Sequence, residues 1–279
     1  MRYDRAAILT DLDGTLFNSD GEVSAEDRVA VREFIDGGGL FGVATGREPH
    51  NARRWLPALS LNAPSIVLNG AAVYDFVRQC YLQASLVDKE AACDVIQRCE
   101  RLGLSLDIQI YTTEGIFYAS PLEVADPGFL QIHQPTAFLP MEQLAQKDWV
   151  KILFLEREAG ALAPLREILR QTGDRLSLVE GTTDVVKVGK YQELLPRSVN
   201  KGSGVAVLRQ LPVYENRVLF AVGDYWNDME LLQAVDIPCA PTNAIDEVRA
   251  VCRHILPSHN DSPIAELIRR VIPSLWYFL

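Results

Sequence analysis

Short apolar runs recur along the chain, and each of them ends in small or polar residues. The runs AAILT, LFGVAT, SIVL and RVLFAV lead directly into Asp11, Gly46, Asn69 and Gly223, in that order. Apolar runs of this length without polar alternation are typical of strands that are buried on both faces, as in a parallel sheet. The pattern therefore predicts a parallel sheet with polar side chains at the carboxyl ends of its strands.

Helical patterns lie between these runs. The segment SAEDRVAVREFIDGGG has Ser24 as an N-cap, Asp27 three positions later, an apolar stripe that includes Val31 and Phe34, and glycines that stop the helix. The segments KGSGVAVLRQL and NDMELLQAV also have helical patterns. Strands that alternate with helices predict an α/β fold with a doubly wound, Rossmann-like parallel-sheet core, in which ligands bind beyond the carboxyl ends of the strands.

The middle of the chain has a different pattern. Between about residues 85 and 185, helical segments stand beside strands with partial alternation, such as LSLDIQIY and GIFYA. Helices beside antiparallel strands predict a separate α+β module. We therefore expect residues 1–84 and 186–279 to form the core with the active site, and residues 85–185 to form an inserted α+β domain. Four of its side chains are candidates for substrate contacts, namely Tyr111, Tyr118, His133 and Trp149. We expect them instead to fill the interior of the module, as aromatic residues of small α+β modules often do.

The charge and composition of the chain limit the classes of partner that we expect it to bind. The formal net charge is −10, and no cluster of Lys and Arg stands out, so nucleic acid is not an expected partner. An anionic ligand would need a metal ion or a few local cations. The chain shows no signal peptide and no run of membrane-spanning length, so we expect no membrane partner. Five cysteines without a C-x-x-C pair fit reduced thiols, which predicts a cytoplasmic location.

The stretch ILTDLDGTLFNSDGE carries the first candidate chemistry. In extended backbone, residues i and i+2 face the same side, so the carboxylates of Asp11 and Asp13 can converge. One carboxylate can attack phosphorus, and the other can exchange a proton with the leaving oxygen and with water. Gly14 allows the backbone to approach a phosphate closely. These residues favour a phosphoryl-transfer site, and a turn with an N-cap aspartate is the alternative when the pattern is taken alone.

A calcium loop is an alternative interpretation of the same stretch. Ligand positions of an EF-hand loop would be filled by Asp11, Asp13, Thr15, Ser19 and Glu22. However, the sixth position requires glycine for a sharp turn, and Leu16 stands there. The preceding run is also short and strand-like rather than helical, so this interpretation is disfavoured.

Two further segments supply phosphate-binding groups. In ATGR, the Thr45 hydroxyl and the amide of Gly46 can hold a phosphoryl oxygen at a strand end, and Arg47 can add a bidentate contact. In NKGSG, Lys201 lies near a helix start. A lysine alone is usually solvated, but beside a phosphoryl group it would neutralise charge that two aspartates repel.

The segment GDYWND supplies candidate metal ligands. Asp224 follows an apolar strand, and Asp228 lies near the start of the next helix. With Asp224 beside Asp11, the carboxylate oxygens would form a site suited to Mg²⁺. A solvated loop with an acidic helix start is the alternative for Asp224 and Asp228 when they are taken singly.

Taken in order, DLDGT, ATGR, NKG and GDYWND resemble the four signature motifs of the haloacid dehalogenase (HAD) superfamily. The insertion of about a hundred residues between the second and third motifs is similar to the C2 cap of the Cof-type phosphatase branch. The resemblance implies Asp11 as nucleophile, Asp13 as acid/base and Lys201 as charge stabiliser. The phosphate-binding residues that it implies are Thr45, Gly46, Arg47 and Asn227. The implied Mg²⁺ ligands are Asp11, the backbone carbonyl of Asp13, and Asp224, with Asp228 in or just behind that shell.

The expected function is hydrolysis of a small phosphorylated metabolite through an aspartyl-phosphate, with Mg²⁺ as cofactor. A phosphomutase and a non-catalytic module that binds metabolite or Mg²⁺ remain alternatives. Two segments depart from the family pattern: PCAPTNA replaces the usual methionine-glycine-asparagine-alanine, and VGKYQELLPRSVNKG is longer than the usual entry to the lysine motif. The sequence determines neither the substrate nor the oligomeric state.

Overall fold

The computed structural model describes residues 2–56, 59–119, 135–182 and 190–275. The chain divides into two compact units. The first unit comprises Met1–Gln83 and Asn200–Leu279, and the second comprises Ala84–Val199. Within the described residues, no helix is both long enough and apolar enough to cross a membrane.

The first unit is built on a parallel sheet. Its strands, and those of a small sheet beside it, are β1 (Ala6–Thr10), β2 (Leu40–Val43), β3 (Ser65–Val67), β4 (Ala72–Asp75), β5 (Cys80–Ala84) and, after the second unit, β12 (Val218–Val222), β13 (Ile237–Pro241) and β14 (His254–Leu256). The main sheet has five strands in the order β14-β13-β12-β1-β2. A parallel bridge from Ala44 to Ile66 continues it toward β3, which pairs antiparallel with β4.

Every residue of β1 and β2 is buried. In the parallel register, Ile8 lies between Phe220 of β12 and Phe41 of β2. A strand that is covered on both faces needs apolar side chains on both, which explains why these runs show no polar alternation. The predicted parallel α/β core is confirmed.

Helices surround this sheet. They are α1 (Ala25–Asp36), α2 (Pro49–Trp55), α6 (Lys201–Leu208), α7 (Met229–Ala234), α8 (Asp246–Val251), α9 (Pro263–Glu266) and α10 (Ile272–Leu275), with a wider helical turn over Leu267–Val271 between the last two. As predicted, the Ser24 hydroxyl accepts a hydrogen bond from the Asp27 amide, at 3.0 Å, and α1 ends at Gly37. Apolar residues of α6, α7 and α8 share one core with Ala7 and Leu9 of β1.

The second unit contains a six-stranded sheet in the order β10-β11-β9-β6-β7-β8. The strands are β6 (Leu106–Thr112), β7 (Gly115–Tyr118), β8 (Ala137–Phe138), β9 (Lys151–Glu156), β10 (Leu176–Thr182) and β11 (Lys190–Pro196), and the helices are α3 (Lys89–Arg101), α4 (Met141–Leu144) and α5 (Leu165–Arg170). Strands β6 to β11 pair antiparallel except for β7 and β8. Tyr111, Tyr118 and Trp149 are buried, and His133 lies outside the described residues.

The second unit extends further than the expected boundary at residue 186. Strand β11 pairs antiparallel with β10 and with β9, so that Leu194 lies opposite Leu178 and Ile152. Leu194 belongs to the hydrophobic core of this unit. The pairing therefore places the chain up to Val199 in the second unit, and it gives the long segment before the lysine motif a role as a strand.

Candidate active site

The candidate site lies at the carboxyl ends of β1 and β12. These strands pair in parallel with Thr10 opposite Val222, so the residues that follow them emerge side by side. The Asp11 amide donates to the Val222 carbonyl oxygen at 2.8 Å, which holds Asp11 against the end of β12. The sheet itself therefore brings the first and fourth motifs together.

Three carboxylates meet at this edge of the sheet. Oxygen atoms of Asp11, Asp224 and Asp228 all lie within 4.8 Å of one another. Asp224 is oriented by the Thr15 hydroxyl, which donates to its Oδ1 at 2.7 Å. Asp228 is oriented by the backbone amides of Asp224 and Tyr225, which donate to its Oδ2 at 3.0 and 3.2 Å. Asp228 is thus held by amides of its own loop, and Asp224 is held by a side chain of the first motif.

Lys201 lies between two of these carboxylates. Its Nζ donates to Asp11 Oδ1 at 2.8 Å and to Asp228 Oδ1 at 2.6 Å, and its side chain is fully buried. Burial by itself would lower the pKa of Lys201, but the charges of Asp11 and Asp228 outweigh it and raise that pKa above its ordinary value. Lys201 is the first residue of α6, whose N-cap is Asn200. The helix start therefore delivers a permanently charged ammonium to the site.

The carboxylates carry more negative charge than Lys201 neutralises. Burial raises the pKa of Asp11 well above its ordinary value, and the charges of Asp228 and Asp224 raise it further while Lys201 opposes them. Burial also raises the pKa of Asp224 to about 6, against the hydrogen bond from Thr15. Three carboxylates with one ammonium leave two formal negative charges. Clustered carboxylate oxygens with this surplus fit a hard divalent cation such as Mg²⁺.

Asp13 pairs with a residue of the second motif. Arg47 binds its carboxylate in a bidentate manner, from Nε to Oδ2 at 2.9 Å and from Nη2 to Oδ1 at 2.6 Å. The helical turn that follows β1 is interrupted at Asp13, with a φ of −76° and a ψ of 125°, and at Gly14, with a φ of 72°. The convergence of the Asp11 and Asp13 carboxylates stays a prediction.

Gly14 allows the first motif to pack against the fourth. A Cβ at this position would lie 2.5 Å from Asp224 Oδ2, so any side chain would displace the Asp224 carboxylate. The Gly14 carbonyl oxygen accepts a hydrogen bond from Asn243 Nδ2 at 2.8 Å. Asn243 belongs to the divergent segment PCAPTNA, and its contact with Gly14 connects that segment to the site.

The loop after β2 contains the second motif. Thr45 is buried, and its hydroxyl accepts a hydrogen bond from the Arg47 amide at 3.2 Å. Besides binding Asp13, Arg47 donates from Nη1 to Asn51 Oδ1 at 2.9 Å. Asn227 of the fourth motif donates from Nδ2 to Asn69 Oδ1 at 3.2 Å. The side chain of Arg47 therefore binds Asp13 and Asn51, and the side chain of Asn227 binds Asn69.

Sequence reasoning missed four polar residues that contact the predicted ones, namely Thr15, Asn51, Asn69 and Asn243. Two of them carried a signal: Asn69 ends the apolar run SIVL at the carboxyl end of a strand, and Thr15 belongs to the motif DLDGT. Asn51 contacts Arg47 four positions away in the chain, whereas Asn243 contacts the Gly14 carbonyl oxygen of a loop that only the fold brings near.

The match to known proteins covers nearly the whole chain. Residues 8–268 match the family model of the haloacid dehalogenase-like hydrolases. Over 291 residues, the chain is 24% identical to 5-amino-6-(5-phospho-D-ribitylamino)uracil phosphatase YwtE of Bacillus subtilis, covering 95% of this chain and 97% of that one.

Phosphatase YwpJ of Bacillus subtilis is also 24% identical, over 288 residues, with 95% of this chain and 99% of YwpJ covered. The crystal structure of a Thermotoga maritima protein has the same fold, with a TM-score of 0.77 and 21% identity over 95% of this chain and 97% of that one. The superfamily predicted from the four motifs is confirmed, as are the Cof-type branch predicted from the insertion between the second and third motifs and the prediction of a hydrolase. The chain belongs to the haloacid dehalogenase-like hydrolases.

Proposed function

We propose that this protein is a Mg²⁺-dependent phosphatase that hydrolyses a small phosphorylated metabolite through an aspartyl-phosphate on Asp11. The observation that carries the proposal is the buried Lys201 between Asp11 and Asp228, beside Asp224. Asp11 can act as the nucleophile, and Lys201 supplies a fixed positive charge for the anionic phosphoryl group. The surplus carboxylates can hold the metal ion. The family is one of hydrolases, and two relatives are named phosphatases.

The acidic cluster is the proposed cation site. The side chains of Asp11, Asp224 and Asp228 would hold Mg²⁺ together with the backbone carbonyl of Asp13. When bound, Mg²⁺ would supply positive charge to the phosphoryl oxygens. The remaining steps belong to the protein's own side chains.

In the first step, an Asp11 carboxylate oxygen attacks phosphorus, a new P–O bond forms, and the bond to the leaving oxygen breaks. The Thr45 hydroxyl and the Gly46 amide would donate hydrogen bonds to the phosphoryl oxygens, and Lys201 keeps Asp11 oriented. Asp13 donates a proton to the leaving oxygen. As a carboxylate, Asp13 then takes a proton from the water that hydrolyses the aspartyl-phosphate.

The pair between Arg47 and Asp13 must open before Asp13 can donate a proton. A phosphate group offers Arg47 the same planar, two-oxygen contact that the carboxylate provides. Arrival of the substrate would therefore draw Arg47 toward the phosphoryl group, and the freed Asp13 carboxylate would take from solvent the proton that it donates to the leaving oxygen. In this proposal, binding of the substrate by Arg47 makes Asp13 available as the general acid.

The second unit is proposed to act as a C2-type cap that selects the substrate. In this proposal the catalytic core is the first unit, Met1–Gln83 and Asn200–Leu279, in place of the expected residues 1–84 and 186–279. The relative YwtE is named for a ribityl phosphate ester. Phosphate esters of polyols therefore belong among the first compounds to test.

Release of inorganic phosphate from a panel of phosphorylated metabolites, with Mg²⁺ or with EDTA, tests the proposal. We expect Mg²⁺-dependent release that is lost in Asp11→Asn and retained in Asp20→Asn, a matched control at an exposed aspartate of the same stretch. Borohydride trapping during turnover should convert Asp11 to homoserine, because borohydride reduces acyl phosphates. Full activity of Asp11→Asn would contradict the proposal, and isomerisation without free phosphate would indicate a mutase.

A further inference from the structure

A turn that no motif includes has an unusual backbone. Leu68, Asn69 and Gly70 follow β3 and have φ values of 53°, 53° and 95°. Non-glycine residues rarely adopt left-handed conformations. Consecutive residues in this conformation cost free energy, which the surrounding contacts must offset. Strained backbone of this kind is concentrated at functional sites. The Leu68–Gly70 turn is therefore a candidate for a role in the site.

The backbone of this turn contacts the second and third motifs. The Asn69 amide donates to the Thr45 carbonyl oxygen at 3.0 Å, and the Leu68 amide donates to the Arg47 carbonyl oxygen at 3.1 Å. At Gly70, a Cβ would lie 1.9 Å from the carbonyl oxygen of Asn200, so only glycine allows the start of α6 to approach this closely. The turn thus holds the loop of Thr45 and Arg47 and touches the helix start that carries Lys201.

The Asn69 side chain extends these contacts to the fourth motif. It is buried, and its Oδ1 accepts the hydrogen bond from Asn227 Nδ2 at 3.2 Å. A Cβ at Gly46 would lie 2.9 Å from Asn69 Nδ2, so the amide group packs directly against the Gly46 backbone. One side chain therefore adjoins two of the predicted phosphate-binding residues.

We propose that Asn69 is a positioning residue for the phosphoryl group, acting through Asn227 and the Gly46 backbone. The inference rests on the proposed function. Asparagine suits the position because it tolerates the left-handed conformation better than other side chains and offers both a donor and an acceptor. Glycine would supply the conformation without the amide. Aspartate would accept the bond from Asn227 but add negative charge beside an anion.

Asn69→Gly removes the side-chain amide alone, since glycine readily adopts the left-handed backbone conformation of this position. Asn216→Gly is the matched control, because Asn216 is an exposed asparagine with a φ of 58°. We would measure kcat, KM, the inhibition constant of inorganic phosphate and the unfolding midpoint. We expect Asn69→Gly to weaken phosphate binding about tenfold, as for one lost hydrogen bond to a binding group, with a midpoint near that of the wild type. Asn216→Gly should bind phosphate as the wild type does.

The Asn69→Asp variant distinguishes a positioning role of Asn69 from a purely structural one. A turn that only needs an acceptor for Asn227 would tolerate Asn69→Asp, whereas a positioning residue beside an anion predicts a loss of phosphate binding at least as large as in Asn69→Gly. Asn69→Gly and Asn227→Ala should also have less than additive effects on the inhibition constant, because they remove the same contact.

The outcomes separate the two proposals. Absence of hydrolysis by the wild type would overturn the proposed function. An active wild type with unchanged phosphate inhibition in Asn69→Gly and Asn69→Asp would overturn only the role of Asn69. Fully additive effects of Asn69→Gly and Asn227→Ala would likewise reject the coupling through Asn227. If Asn69→Gly unfolds, the comparison of Asn69→Asp with the wild type decides the question by itself.

Discussion

Burial of Lys201 between Asp11 and Asp228 is tolerable only because the three charges stabilise one another. A buried charge without a partner costs several kcal/mol, while exposed pairs contribute little. Both carboxylates lie within 2.8 Å of the same Nζ atom. Removing the ammonium would leave two buried carboxylates facing each other and Asp224. The single side chain of Lys201 therefore serves the stability of the folded protein as well as the proposed chemistry.

Lys201→Met should lower the free energy of unfolding by about 3 kcal/mol in EDTA, because the retained carboxylates lose their cation. Mg²⁺ should restore part of the loss, since it replaces positive charge in the cluster. Urea unfolding with EDTA and with Mg²⁺ measures both effects. Lys147→Met is the control: Lys147 pairs with the exposed Glu114, and its loss should cost less than about 1 kcal/mol. Equal losses in the two variants would contradict this account.

Proton competition should make Mg²⁺ binding depend on pH. The pKa of Asp224 is raised to about 6, and that of Asp11 is raised as well. As the pH falls through about 6, protons occupy the carboxylates that the cation needs, so the apparent affinity should fall. We expect Mg²⁺ to raise the unfolding temperature more at pH 8 than at pH 5.5. The same increase at both pH values would contradict the assignment, and Asp224→Asn should reduce the increase at pH 8.

At the scale of elements, a buried carboxylate joins α1 to the start of α9. Asp27 Oδ1 accepts a hydrogen bond from the Ala265 amide at 2.7 Å, and the Ser24 and Ser262 hydroxyl groups are 2.8 Å apart. Asp27 is completely buried, and this burial raises its pKa from 3.8 to about 6, against the hydrogen bonds that it accepts. The joint between the two helices is therefore sensitive to pH.

Asp27 should make the protein less stable as the pH rises. Because its folded-state pKa exceeds the ordinary value, its stabilising contribution is fully present below pH 3.8 and is lost as the pH rises through about 6. Between pH 4.5 and pH 7.5 this loss amounts to about 2 kcal/mol. Asp27→Asn, which cannot titrate, should lack this component of the pH profile.

Urea unfolding of the wild type and Asp27→Asn at both pH values measures the difference. Asp36→Asn changes an exposed aspartate at the end of the same helix, and its pH profile should run parallel to that of the wild type. A profile of Asp27→Asn that is also parallel to the wild type would show that Asp27 does not titrate in this range.

At the scale of the whole molecule, each unit has a hydrophobic core of its own. One core includes Leu9, Val205 and Leu232 of the first unit, and the other includes Ile96 and Phe154 of the second unit. The acidic cluster of Asp11, Asp224 and Asp228 belongs entirely to the first unit. A ligand that binds only the folded state stabilises the part of the protein that forms its site.

Mg²⁺ should therefore slow amide hydrogen exchange in the first unit and leave the second largely unchanged. Hydrogen exchange followed by mass spectrometry, with Mg²⁺ or EDTA, reports on peptides from both units in one experiment. We expect slower exchange in peptides near residues 8–16 and 222–232, and Asp224→Asn should abolish the effect. An equal gain in protection across both units would contradict a site confined to the first.

The sequence by itself determined the parallel core, the starts of α1, α6 and α7, and the four motifs that identify the superfamily. These features follow from local rules: apolar runs, helix caps and polar residues at strand ends. Because parallel strands all present their carboxyl ends at one edge, the sequence also indicated that Asp11 and Asp224 lie together. Each of these inferences needs only a few neighbouring residues and the periodicity of the backbone.

Only the tertiary structure decided which polar partners meet. It paired Arg47 with Asp13 and Asn69 with Asn227, and it placed Asn243 on the Gly14 carbonyl oxygen. It also assigned β11 to the second sheet. Such contacts join residues that are far apart in the chain, as with the separation of 229 positions between Asn243 and Gly14. Local periodicity cannot specify them, because they depend on how loops turn after the strands end and on the packing of all elements at once.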